Sequence, residues 1–255
     1  MPIHKTYGWV PDLPDQRDHL YAAVPAVLAK LPPKKDLRAG CPPVYDQGQL
    51  GSCTANAISG ALQFEQKKQR IKFFMPSRLF IYYNERVIEK SVNSDNGAQI
   101  RDGIKTVANQ GFCPETEWPY NPQKFATKPS PLCFKDAGKN KAVGYQRLVS
   151  TNLNQLKGCI ASGFPFVFGF TVYEAFESPQ VAKSGVLNMP GPREKVVGGH
   201  AVLGVGYDDS TQRFIVRNSW GKDWGTKGYF TIPYAYLTSS NLADDFWTIR
   251  ILTEA

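Results

Sequence analysis

No stretch of this sequence approaches the roughly 18 consecutive apolar residues that a membrane-crossing helix needs, so no membrane partner is expected. The N-terminus has no apolar leader core either, because Pro2, Pro11 and Pro14 stand there among charged residues. Either the chain stays in the cytosol or a leader lies outside this sequence, and the compartment is left open. Histidine is almost absent: His4, His19 and His200 are the full complement. Cysteine is scarce and odd in number, with Cys41, Cys53, Cys113, Cys133 and Cys159. An odd count leaves at least one thiol free unless it pairs between chains. The other four could form two bridges in three ways, so an oxidising environment is allowed but not required. There is no internal repeat, no low-complexity tract and no long basic block. The net charge of +8 comes from scattered Lys and Arg, which reads as a solvated basic surface rather than a nucleic-acid or anionic-membrane footprint. No nucleic-acid-binding motif accompanies it, and no nucleic-acid partner is expected.

What is present is a chain of 255 residues, enough for one large domain or two small ones. Residues 1–40 carry many prolines and no sustained period. They also hold Tyr7, Trp9, Leu13, Leu20 and Tyr21, side chains that want a surface, so this segment is expected to be an extended arm packed on a body. Helical spacing follows, in Ala57, Ile58, Ala61 and Phe64, in a helix over Met75–Lys90 with Pro76 in its first turn, and in Ile100, Ile104, Val107 and Ala108 with Gly111 as a stop. Leu153, Leu156 and Ile160 predict one more short helix ended by Gly163, with Cys159 as a buried thiol on it. Then come strand-like runs at Phe166–Val172, Ala201–Tyr207, Arg213–Arg217, Tyr229–Ile232 and Phe246–Leu252, with a hairpin turn at Tyr207-Asp208-Asp209-Ser210. Helices first and strands later, without regular alternation, predict an α+β chain of two subdomains, mainly helical over 41–145 and β-rich over 146–255.

Three segments carry chemistry. In Gln47-Gly48-Gln49-Leu50-Gly51-Ser52-Cys53, a tight turn delivers a cysteine to the start of a helix. There the partial positive charge of the helix N-terminus favours a thiolate, and free backbone N–H groups can hold an oxyanion. A buried structural cysteine is the competing reading. His200, after Gly198-Gly199, is the one histidine outside the arm, so it alone in the body can act as a base for Cys53. Asn218-Ser219-Trp220-Gly221, followed by Trp224-Gly225, sets an asparagine at a strand end among aromatic residues. Taken alone it is an ordinary turn.

Together these segments resemble the papain family of cysteine peptidases, from about Asp36 to Ile251. The matching residues are Gln47, Gly51, Ser52, Cys53 and Ala55; His200-Ala201-Val202 with Val205-Gly206-Tyr207; Asn218-Ser219-Trp220-Gly221, Trp224-Gly225 and Gly228-Tyr229; and the stretch from Gly111 to Trp118-Pro119-Tyr120. The resemblance implies a papain-like fold with a helical left and an antiparallel β-rich right subdomain facing each other across a cleft. It implies Cys53 as nucleophile, His200 as its imidazolium partner, Asn218 as the group orienting the imidazole, Gln47 with the Cys53 N–H as oxyanion hole, and Trp220 as a cover over the Asn218–His200 contact. Gly97, Ala98 and Gly199 would border the substrate. Protein or peptide substrates, an endopeptidase, a monomer, and neither cofactor nor metal are implied. Gly199 leaves room for an apolar residue two before the cleaved bond, with Phe168 and Phe170 in the bordering strand.

The sequence departs from the family at Leu50 and Thr54, where a cysteine and an aromatic residue are usual, so the bridge that pins the nucleophile turn cannot form and Leu50 is expected to replace it by packing. Asp95-Asn96-Gly97-Ala98 stands where the family has Cys-Asn-Gly-Gly. Cys113 and Cys133 are the first guess for a bridge. In place of a long helical prosegment there is only the arm, expected either to lie across or beside the cleft as a short, removable prosegment of a zymogen or to remain as a strap. A cysteine acyltransferase or transglutaminase, a pseudoenzyme and a nucleic-acid binder are the rival readings; the intact set of Gln47, Cys53, His200 and Asn218 favours the peptidase.

Overall fold

The computed structural model describes residues 6–254, so His4 lies outside it. The elements run α1 (Pro25–Leu28), β1 (Lys34–Asp36), α2 (Cys53–Gln69), α3 (Arg78–Ile88), α4 (Ile100–Asn109), α5 (Pro131–Ala137), β2 (Asn140–Leu148), α6 (Leu153–Ala161) and β3 (Phe166–Tyr173), then α7 (Pro179–Ser184), β4 (Val196–Asp208), β5 (Arg213–Arg217), β6 (Tyr229–Pro233), α8 (Tyr234–Leu237) and β7 (Ala243–Glu254). The strands form one antiparallel sheet in the order β2-β7-β3-β4-β5-β6, with β1 added to β4. This is the α+β, papain-like arrangement expected.

Helix α2 is buried on every face from Cys53 to Gln66, as a helix wedged between layers must be. It packs on β4 and β7 on one side and on α3 and α4 on the other. Small residues at Ala55, Ala57 and Ala61 allow that close fit. The core beneath the sheet is aromatic: Phe168 stacks on Phe246 at 5.1 Å, and Phe170 meets Phe176 and Phe230 at 5.3 and 5.9 Å.

Several local expectations need correction. Helix α3 starts at Arg78, not at Met75, because the Ser77 side chain accepts the Phe80 N–H and caps the helix there. Pro76 precedes the cap and makes an isolated bridge with Pro114. Strand β2 was not expected. The β4–β5 turn falls at 209–212, two residues later than expected, with Gln212 at φ 53. All five cysteines are free thiols, Cys113 and Cys133 included. Their sulfurs, with a carboxylate oxygen of Glu117, lie within 4.8 Å of one another, whereas a disulfide needs about 2 Å. Cys133 Sγ instead pairs with Ser130 Oγ at 3.2 Å.

Candidate active site

The turn before α2 is built by hydrogen bonds. Gly48 takes the left-handed φ of 62° that the turn requires. Asp95 accepts the Gly51 N–H on both carboxylate oxygens at 3.1 Å and the Tyr82 hydroxyl at 2.5 Å. A carboxylate thus pins the turn where a disulfide was missed, and buried Leu50 only adds packing. Tyr120 closes the other side, its hydroxyl donating to the Gln47 carbonyl at 2.9 Å and lying 2.6 Å from Ser52 Oγ. Cys53 is the first residue of α2.

Sheet register brings the remaining groups to it. His200 sits on β4 opposite Phe170 of β3, and β5 ends at Arg217 opposite Leu203 of β4, so Asn218 emerges beside the imidazole. His200 Nε2 donates to Asn218 Oδ1 at 2.8 Å. Trp220 lies against the His200 ring at 5.0 Å and 30°. Nδ1 of His200 is buried with no hydrogen-bond partner among the described residues. Cys53 Sγ accepts the N–H of Ala201, the next residue, at 3.3 Å. Gln47 is wholly buried; its Oε1 accepts from Ser219 Oγ at 2.6 Å, leaving its Nε2 near Leu50 O at 3.0 Å and Thr6 O at 3.4 Å.

Thr6 belongs to the arm, which runs straight over these groups. Tyr7 packs edge-on to His200 at 6.0 Å and donates its hydroxyl to Glu177 at 2.7 Å. The Gly8 backbone N–H favours the ionised form of the Cys53 sulfur. Ala98 gives its N–H to Gly8 O at 2.8 Å and takes the Val10 N–H at 3.1 Å, while the Trp9 N–H bonds Gly199 O at 2.9 Å. Gly97 holds φ 78°, and a Cβ there would overlap the Gly8 backbone. The Trp9 ring lies on Gly169 and Gly199 and donates Nε1 to Asp245 at 2.9 Å. Gly97, Ala98, Gly199 and Trp220 therefore all touch the arm segment that covers Cys53 and His200. Phe168 and Phe170 do not line the Trp9 site: they alternate to the core face of β3, leaving Gly169 toward the indole.

This cover sets the electrostatics. Burial pushes the Cys53 thiol up to about 12, against the pull of the N–H groups of Ala201, Gly8 and Thr54. Burial lowers His200 to about 4, although Asn218 favours its charged form. Under the arm, burial disfavours the charged form of both groups. Sequence reasoning named Asp95 and Tyr120 only as motif positions, without their part in holding the nucleophile turn, and missed Asp245. Asp95 stood at the position of a missing cysteine, which was the available signal; Asp245 had none.

The family described as papain family cysteine protease matches residues 31–246. Xylellain, a cysteine protease from Xylella fastidiosa, superposes with a TM-score of 0.90 at 47% identity over 96% of each chain. An uncharacterized peptidase C1-like protein of Acanthamoeba polyphaga mimivirus is 44% identical over 99% of this chain and 89% of its own. Chicken cathepsin K is 32% identical over 73% of this chain, which spans 54% of that protein. The chain belongs to the papain family of cysteine proteases.

Proposed function

We propose that this protein is an endopeptidase held latent by its own arm, with Cys53 as nucleophile, His200 as acid and base, Asn218 as the orienting amide and Gln47 as an oxyanion donor. The observation that carries this reading is the arm's course: a continuous peptide passes Cys53 with a carbonyl, that of Thr6, facing the Gln47 amide. Chain lies on both sides of the nucleophile, Tyr7 toward Trp220 and Trp9 toward Asp245, which supports cleavage within chains rather than at their ends. Residues 41–145 and 146–255 are read as the two walls of the cleft.

With the arm gone, water returns, the burial cost falls, and the proton moves from sulfur to Nδ1. The α2 N-terminus favours the thiolate left behind. The thiolate adds to the substrate carbonyl, and the oxyanion takes the Gln47 Nε2–H and the Cys53 N–H. The imidazolium protonates the leaving amine as the C–N bond breaks. Water, deprotonated by His200, then releases the acid from the thioester. Asn218 acts by fixing Nε2, which leaves Nδ1 toward the sulfur.

The test is an epoxide probe for papain-like enzymes, applied to the intact chain and to the folded chain after arm cleavage, with the adduct located by mass spectrometry. One adduct on Cys53 after cleavage, absent on the intact chain and on His200→Ala, is expected. Equal labelling before and after cleavage would make the arm a strap and sink the latency. No adduct in either form, with Cys53 reduced, would overturn the residue roles.

A further inference from the structure

Beyond Trp9, the body holds a set of donors aimed at the arm. The Arg101 side chain makes all its hydrogen bonds among the described residues with arm atoms: the Leu13 carbonyl and both oxygens of Asp18, at 3.1 and 2.6 Å. It also faces Asp12 at 4.0 Å and the Trp247 ring at 5.8 Å, and it interacts electrostatically with Asp245 and Asp102 of the body. The Arg101 backbone N–H bonds Asp12 Oδ1 at 3.0 Å, and Trp247 Nε1 bonds Asp12 Oδ2 at 3.1 Å. The α4 cap residue, Gln99, contributes no side-chain bond, so Asp12 caps that helix from across the groove. Asp12's carboxylate is fully enclosed.

On the facing side, a bulge in β7 between the Val167–Trp247 and Gly169–Asp244 pairs turns Asp245 inward. Asp245 Oδ2 accepts the Asp12 N–H at 2.8 Å, and its Oδ1 pairs with Arg147 at 3.1 Å. Arg147 also reaches Asp18 at 3.1 Å and Asp244 at 3.3 Å. The site therefore holds an acidic residue at two points, its N–H on Asp245 and its carboxylate on Arg101 and Trp247.

We propose that this is a carboxylate-recognition site of the substrate groove, and that in the arm-free enzyme an Asp or Glu side chain of a peptide substrate takes the place of Asp12. The proposal rests on the arm being removed. Its physical basis is the set of donors that removal uncovers: the Arg101 guanidinium, 4% exposed only while the arm covers it, the Arg101 backbone N–H and the Trp247 indole N–H, all without the acceptor that Asp12 supplied. Donors that converge on one point favour an acceptor there, and a charged donor among them favours an anion. The two-point geometry selects an acidic residue within a peptide over a free carboxylate.

The experiment nicks the folded full-length chain between α1 and β1, removes the arm, and first titrates Cys53 with the epoxide probe. Peptide substrates differing only by Asp or Asn at each position are then compared. One position is expected at which Asp raises kcat/KM by about 10-fold or more, the range of a charge-assisted bond; Arg101→Gln should abolish the preference and Trp247→Phe should reduce it. Fully titrated enzyme with no such position, or a preference that survives Arg101→Gln, overturns the proposal. Failed titration is a failure of the proposed function instead. The site is then judged without activity, by binding a synthetic peptide of residues 6–20 to the nicked protein. The Asp12→Asn peptide should bind about 10-fold more weakly, and equal affinity of the two overturns the proposal.

Discussion

A side chain at Gly8 has no room. Its Cβ would overlap the Gly51 carbonyl oxygen and lie 2.9 Å from the Gly51 Cα, all backbone of the pinned nucleophile turn. That turn cannot yield, because Asp95, Tyr82 and Tyr120 fix it. The arm must move instead, so Gly8→Ala should displace it while leaving the body folded. Overpacking of this size costs about 1–3 kcal/mol, so the intact Gly8→Ala chain should label at Cys53 about 10-fold faster or more than the parent, with the unfolding transition nearly unchanged. Equal rates would mean that the arm does not cover the sulfur. At this scale the sequence was most readable where a residue type is rare: with a single histidine in the body, the partner of Cys53 followed by elimination. Asp245 was not readable, because one acid among 22 Asp and Glu residues carries no mark until the backbone turns it toward its donors, and Asp95 was marked only by standing where the family has a cysteine.

Helices α2, α4 and α6 and strands β3 to β7 followed from period and composition, because each puts a continuous apolar face into one core. Strand β2 did not. Its residues Asn140–Leu148 include Lys141, Gln146 and Arg147 and are only partly buried, so its place in the sheet comes from pairing along β7, a long-range partner that no local pattern reveals. Strand β1 is equally silent in sequence, and it has a consequence. Lys34–Asp36 is hydrogen-bonded to β4, so Lys34 and Lys35 are held in a sheet, which a protease active site cannot accept without local unfolding. Lys30 lies exposed between α1 and β1. Limited trypsin digestion of the intact chain should therefore cut after Lys30 before Lys34 or Lys35, giving an arm fragment that ends at Lys30 by mass. First cuts inside β1 would show that the sheet does not extend to this edge.

For the molecule as a whole, the arm controls chemistry by controlling water. Closed, it buries Cys53 and His200 completely, and burial disfavours charge on both. The effect is the same for the pair: burial raises the thiol to about 12 and lowers the imidazole to about 4, so the neutral form of each is favoured while the arm is closed. The sign follows for His200. Its closed-state value lies below the ordinary one, so the ring stays neutral as pH falls through 6.5 and gains its proton only near 4. Because Nε2 is tied to Asn218 Oδ1, the neutral ring should be the Nε2–H tautomer with Nδ1 bare. Opening the arm removes the burial cost and lets the thiolate form opposite Nδ1, so the ring should then carry both protons at pH 6 to 7. Imidazole nitrogen shifts distinguish these states directly. The intact chain should show a bare His200 Nδ1 at pH 6, and Gly8→Ala should show both nitrogens protonated. A doubly protonated His200 in the intact chain would mean that the ion pair forms beneath the arm, and that latency comes from blocking substrate alone rather than from drying the catalytic pair.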